Sequence, residues 1–257
     1  FNGEHVGNGE PPELDVAVDP IDGTRPLAFG RANSLAVVSL APRGTMFDPG
    51  PFVYMNKIAV GPEARGRINI EKSITENLHA IAKAKNKAVE DLTTIILDRE
   101  RHKQMIAEIR KAGARIRQIH DGDVAAALMT ALPDSGVDVL FGVGGTPEGV
   151  ITACALRAMG GEIQGKLYAR DEAEMKRGVE MGYDFEKILT MNDLVSSEDV
   201  FFAATGITDG ELLEGVRYYG YGATTDSLVV RGLTGTVRQI KARHRIDKLH
   251  KLSAIRY

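Results

Sequence analysis

The chain has a single cysteine, Cys154, so no internal disulfide can form. That usage fits a reducing compartment, and a cytoplasmic location is the expectation. No stretch reaches the ~18 consecutive apolar residues of a membrane-spanning helix. No secretory signal pattern opens the chain. A net charge of -3 is too small to suggest nucleic acid or a membrane surface as partner. Internal repeats and low-complexity linkers are absent. So are two nucleotide signatures: no Gly-Lys-Ser/Thr completes a Walker A loop, and Pro147 stands where a G-x-G-x-x-G fingerprint needs glycine. A dinucleotide oxidoreductase is thereby disfavoured.

What remains is an ordinary globular composition, 43% apolar and 26% charged, over a length suited to one or two domains. Apolar runs broken by Gly and Pro predict strands at 14–18, 34–40 and 52–60. From about residue 73 the pattern alternates. Helices at 74–85, 101–112, 123–132 and 148–159 interleave with strands at 93–97, 114–119, 137–143 and 163–168. Strands return at 200–205, 225–231 and 235–241. Such alternation predicts an α/β fold (α+β mixed) with a parallel or mixed sheet covered on both faces. The expected division is a half comprising 1–72 plus part of the C-terminal strands, and an α/β half at 73–257.

Three strand-end turns carry acid. In "AVDPIDGTRP", residues 17 to 26, Asp19 and Asp22 lie within one turn of each other after the apolar run at 14–18, read as a buried strand that ends at Val18. Two carboxylates that close repel, and one protonates unless a cation separates them. The Gly23 and Thr24 N–H groups can face an anion, with the Thr24 hydroxyl beside them. A cation on one side and an anion on the other is the arrangement of metal-assisted phosphoryl transfer. An Asx turn with solvated aspartates fits the same letters. The second turn is Asp121-Gly122-Asp123, where either aspartate also suits a helix N-cap. The third, "GVGGTPEG", places Gly144 and Gly145 before Pro147 and Glu148. Pro147 suits a first helical position and Glu148 favours the helix dipole. Together the turns present Asp19, Asp22, Asp121, Asp123 and Glu148. Oxygen donors without Cys or His pairs select a hard cation, Mg²⁺ or Mn²⁺.

On the anion side, "LDRERHKQ" offers Arg99 and Arg101 as a clamp for a second phosphate, or as a solvated helix face. Tyr54 can hydrogen-bond a sugar or phosphate oxygen, or serve as a half-buried strand aromatic. Other residues read as structural. Cys154 suits a buried core position. His5, His79, His102, His120, His244 and His250 show no ligand spacing. Residues 205–211 suit a structural turn, and the basic stretch 237–251 suits a solvated edge strand.

These stretches, with "YMNKIAVGPEARGRI", "FFAATGITDGELLEGV" and "ATTDSLVVRG", resemble the class II fructose-1,6-bisphosphatases of the GlpX type. D-P-I-D-G-T also resembles the signature of the wider lithium-sensitive, Mg²⁺-dependent sugar-phosphatase superfamily. The resemblance covers nearly the whole chain. It implies a layered α-β-α-β-α sandwich and a homodimer or homotetramer. It implies hydrolysis of the 1-phosphate of fructose 1,6-bisphosphate in gluconeogenesis. It implies Asp19, Asp22 and Glu148 as metal ligands, with Asp19 and Thr24 as catalytic residues. Asp22, Gly23 and Thr24 would meet the reacting phosphate. Tyr54, Arg99, Glu100, Arg101, Asp121, Gly122, Asp123 and Gly145 would hold the sugar and its far phosphate. Asp121 and Asp123 thus pass from metal, the reading of the turns alone, to sugar hydroxyls. The family more often has glutamate at the place of Asp22 and lysine at that of Arg99. Its acidic G-E-G-E-x-D-E motif would fall just before Phe1-Asn2-Gly3-Glu4, so water activation has no residue assigned. Rival readings are a bisphosphatase that also accepts sedoheptulose 1,7-bisphosphate, and a catalytically incomplete sugar-phosphate-binding protein.

Overall fold

The structure, a computed structural model, describes residues 3–249 and Lys251. In chain order it contains β1 (Leu14–Asp22), α1 (Thr24–Ala28), β2 (Leu35–Pro42), β3 (Tyr54–Val60), α2 (Ile74–Lys85), β4 (Thr93–Leu97), α3 (Lys103–Ala112), β5 (Arg115–Ile119) and α4 (Asp123–Met129). There follow β6 (Val139–Gly145), α5 (Thr146–Met159), β7 (Glu162–Leu167), α6 (Glu172–Glu180), α7 (Met191–Leu194), β8 (Phe201–Gly206), β9 (Arg217–Tyr219), β10 (Gly222–Arg231), β11 (Thr236–Arg245) and α8 (Ile246–Leu249).

Two sheets organise these elements. The first runs β1-β2-β8-β10-β11, with β9 added beside β10, and every pairing is antiparallel. The second runs β5-β4-β6-β3-β7. Its β5-β4-β6 part is parallel, and β3 joins it antiparallel to both β6 and β7. The central strands β4 and β6 of this mixed sheet are buried on both faces, as coverage on both sides requires. One face meets α2 and α3 through Leu78, Ile81, Ile106 and Ile109. The other meets α4 and α5, and α5 also packs on the inner face of the first sheet. Helix α5 therefore lies between two sheets. It is apolar nearly all round for that reason, with ten of its residues buried. Cys154 is among them, the core position expected for it.

The expected layered α/β sandwich stands. The described residues supply four layers: sheet, helices, sheet, helices. The outer face of the first sheet, carrying Leu14, Val16, Val18 and Phe201, is uncovered among the described residues. Residues 54–60, within the first half expected from sequence, form β3 of the second sheet, while β8, β10 and β11 join the first.

Several element bounds differ from expectation. Strand β1 does not stop at Val18. It continues to Asp22 through an irregularity between Asp19 and Asp22. Pro20 is tolerated there because β1 is an edge strand. Nor is β1 a buried strand: Leu14, Val16 and Val18 are 40%, 47% and 58% exposed. Their period of two puts all three on the outer face. Gly144 and Gly145, expected in a turn beyond the strand at 137–143, are the end of β6 paired with β3. Helices α1, α6, α7 and α8 and strand β9 had no expected counterpart; all are short or polar, and α8 lies in the stretch 237–251 that was expected to be edge strand. The basic strand β11 is an edge strand as expected. Residues 205–211 form a structural turn in which Asp209 accepts from Gly215 N and pairs with Arg217. His250 lies outside the described residues.

Ile151 of α5 is fully buried in the core between the sheets. Its replacement by alanine is expected to cost about 2–5 kcal/mol of unfolding free energy, measured by urea denaturation. A loss well under 1 kcal/mol would contradict the placement of α5 between the two sheets.

Candidate active site

The first acidic turn ends β1. Asp19 Oδ1 accepts from Ile21 N at 2.9 Å, so the Asx turn foreseen as an alternative is present. Asp22 is only 4% exposed. Gly23 follows with φ 88°, a left-handed conformation that opens α1. A Cβ on Gly23 would come within 3.1 Å of the Asn33 carbonyl oxygen. Gly122 of the second turn has φ 83° and meets the same oxygen at the same 3.1 Å, with Asp22 Oδ2 at 3.8 Å. One backbone carbonyl thus packs against both turns. Each turn needs glycine for its angles and for its closeness to Asn33.

The third turn joins β6 to α5. Here a Cβ on Gly144 would overlap Asp123 Oδ2, and one on Gly145 would overlap the Glu148 carboxylate. The glycines leave room for carboxylates. Pro147 occupies the second helical position, beside the expected one.

The electrostatics show that the turns converge. Burial raises the Asp22 carboxyl well above the usual range, and the charges of Asp123, Asp19, Glu148 and Asp121 add to the rise. Burial likewise raises Glu148, opposed by the charge of Lys57. Asp22 Oδ2 is buried without a hydrogen-bond partner. Among the described residues, no three side chains stand close enough to form a ready-made metal cage. The donor set nevertheless fits a hard divalent cation. It is all oxygen, strongly anionic, and includes an orphaned buried carboxylate oxygen that a cation would satisfy.

The structure places the remaining expected residues as follows. Tyr54 pairs with Gly145 across the β3–β6 ladder, and its ring lies 5.3 Å from the Arg101 guanidinium carbon. Arg101 donates twice to the Val143 carbonyl, at 3.1 and 2.7 Å. Arg99 Nη2 is 3.5 Å from Asp121 Oδ1. Thr24 is exposed at the start of α1. Glu100 is the outlier: it is exposed and pairs with Lys103 on the helix surface, outside the acidic cluster.

Sequence reasoning missed three features. Lys57 is a buried lysine whose Nζ lies 2.7 Å from Asp123 Oδ2. A charged residue inside the apolar run 52–60 was its only signal. Arg25 and Arg31 join Arg99 and His120 around a cavity of about 180 Å³ that borders the acidic turns. Arg25 directly follows the D-G-T triplet, which was its signal. His102 is fully buried; its Nδ1 meets the Leu97 carbonyl at 2.7 Å and its Nε2 accepts from Val143 N at 2.8 Å. Those bonds fix the neutral tautomer protonated at Nδ1 and tie the Arg99–Arg101 turn to β6.

Two predictions follow from these charges. The raised Asp22 carboxyl means that the metal-free protein loses stability as pH rises from the unfolded value toward the native one. Asp22→Asn is therefore expected to raise the Tm of the metal-free protein at pH 7, by about 2–4 °C for each kcal/mol relieved. Mn²⁺ is expected to raise the Tm of the unsubstituted protein and not that of Asp22→Asn; calorimetry with EDTA or Mn²⁺ reads both effects. Burial depresses the His102 imidazole. Its contribution to stability is present above about pH 6.5 and is lost as pH falls toward the native value. His102→Gln should cost about 1–3 kcal/mol at pH 8 and flatten the stability loss below pH 6.5 in urea titrations. An unchanged pH slope would remove His102 as its source.

Comparison with known proteins supplies the context. A family model described as bacterial fructose-1,6-bisphosphatase, glpX-encoded, matches residues 1–244. Fructose-1,6-bisphosphatase 1 class 2 of Escherichia coli strain K12 is 43% identical over 261 residues, spanning 96% of this chain and 77% of the relative. The class 2 fructose-1,6-bisphosphatases of Escherichia coli O6:H1 strain CFT073 and of Shigella flexneri match with the same identity and coverage.

Proposed function

The chain belongs to the bacterial, glpX-encoded fructose-1,6-bisphosphatase family, and from that membership we propose that it hydrolyses the 1-phosphate of fructose 1,6-bisphosphate. The products are fructose 6-phosphate and phosphate, and the reaction serves gluconeogenesis. The observation that carries the reading is the orphaned, buried Asp22 carboxylate at the meeting of three acidic turns. Such a cluster is unfavourable alone and fits a metal-dependent phosphatase.

Asp19, Asp22 and Glu148 would hold the metal, for which Mg²⁺ or Mn²⁺ suits the oxygen donors. When bound, it supplies charge neutralisation at the phosphoryl oxygens and lowers the pKa of water. The protein's own groups do the rest. The Gly23 and Thr24 N–H groups open α1 and receive phosphoryl oxygens. The Thr24 hydroxyl, exposed beside them, orients the attacking water or relays its proton; the base that finally takes that proton has no residue assigned. Asp121 and Asp123 bind sugar hydroxyls, and Gly145 lets the sugar approach the backbone. Arg99 faces the far phosphate, with Arg101 held over Tyr54 beside it. The arginine-lined cavity at Arg99 supports this direction for the far end of the substrate.

No helix among the described residues is long and apolar enough to cross a membrane. We place the enzyme in the cytoplasm as a homodimer or homotetramer, without nucleic-acid or membrane partners.

The test is phosphate release from fructose 1,6-bisphosphate by protein expressed from its full reading frame, with Mg²⁺, Mn²⁺ or EDTA. Metal-dependent release is expected, falling at least about 100-fold in Asp19→Ala, since an electrostatic group at the reacting phosphate contributes on that scale. Folded, metal-supplied protein that releases no phosphate would overturn the reading.

A further inference from the structure

Lys57 stands at the centre of β3 and is 2% exposed. The period of two places it on the same face as Met55 and Ala59, which pack into the core between the sheets. An apolar residue would be the ordinary choice there. Burying an ammonium group is costly unless its charge is paired and its donors are used.

Both of its polar contacts lie in the functional site. Nζ sits 2.7 Å from Asp123 Oδ2, at an angle outside hydrogen-bond geometry, so that contact is chiefly an ion pair. Nζ also donates to the Gly145 carbonyl at 3.2 Å. Gly144 is part of the same arrangement. A Cβ there would stand 3.0 Å from both Lys57 Cε and Nζ and would overlap Asp123 Oδ2. One buried cation thus touches the sugar-binding turn at Asp123 and the metal-binding turn at Gly145, three residues before Glu148.

We propose that Lys57 is a positioning residue that locks the Asp121–Asp123 turn against the Gly144–Glu148 turn and supplies a buried resident positive charge to the acidic cluster. It acts on the sugar through Asp123 and on the cation through the local charge. It is not a catalytic residue. The proposal rests on the bisphosphatase reading above.

Two consequences have opposite signs. Without Lys57, Asp123 loses its anchor, so sugar binding weakens. Without Lys57, the carboxylates lose a competing cation, so a divalent metal binds more tightly. A residue that merely fills space would weaken both.

The experiment measures fructose 1,6-bisphosphate kinetics and, separately, Mn²⁺ binding by calorimetry without substrate. It compares the wild type, Lys57→Met and Lys57→Gln. Lys57→Met keeps the shape and loses both charge and donor. Its KM is expected to rise about 10- to 100-fold, the usual scale for losing a supporting partner, with a smaller fall in kcat. Its Mn²⁺ dissociation constant should fall severalfold. Lys57→Gln keeps a donor without the charge. It should recover part of the KM while keeping the tighter Mn²⁺ binding, and it serves alone if Lys57→Met does not fold. KM and Mn²⁺ affinity within twofold of wild type, or both weakened in either folded variant, would overturn the proposal. A wild type that binds Mn²⁺ but releases no phosphate would instead overturn the bisphosphatase reading.

Discussion

Five carboxylates share one edge of this fold, and their mutual repulsion in a partly desolvated place constrains everything around them. Asp22 feels it most. It is buried, and Asp19, Asp121, Asp123 and Glu148 all oppose its ionisation. Proteins do not ordinarily bury like charges together. The arrangement makes sense when the counter-charge comes partly from a bound cation and partly from Lys57. The approach of Gly23 and Gly122 to one carbonyl of Asn33, and the room that Gly144 and Gly145 leave for acidic side chains, are the steric side of the same constraint.

The layered architecture makes that convergence possible. β1 ends the first sheet's edge, while β5 and β6 end in the second. Helix α5 fills the space between the sheets and begins at Gly145 and Thr146, where β6 stops. Because α5 packs on both sheets, its first turn is held at a set distance from β1. Glu148 can therefore stand within electrostatic reach of Asp19 and Asp22, which lie more than a hundred residues earlier in the chain. On the far side, His102 bolts the arginine turn to β6, and Arg101 repeats the attachment at Val143. The cationic and anionic halves of the site thus share one rigid strand.

The division of charge follows from this geometry. On the proposed reading, acid lies where the reacting phosphate and its metal would bind, and arginine lies toward the far end of the substrate. Arg25 and Arg31 extend the basic wall around the cavity at Arg99. A doubly anionic substrate is oriented by such a field before any hydrogen bond forms.

Much of this was legible in the residues. The three acidic turns could be read because each follows a strand and carries glycine, and both signals are local. The strand–helix alternation from α2 to β7 was legible for the same reason: periodicity is a property of a short window. Gly144 and Gly145 were misread as a turn because glycine marks turns, whereas here Gly144 lets a strand pass close to Lys57 and Asp123. The burial of β1 was misread because its outward valines look the same in sequence as inward ones. Glu100 sat within the resemblance yet points to solvent, since a 3₁₀ turn rotates it away from its neighbours Arg99 and Arg101. By itself, then, the sequence determined most of the longer elements, the family and the acidic turns, all of which depend on neighbours in the chain. Only the tertiary structure decided that Lys57 belongs to the site, that His102 holds it and that one carbonyl of Asn33 spaces two of its turns. Those facts depend on which distant strands lie side by side, and no local pattern carries that information.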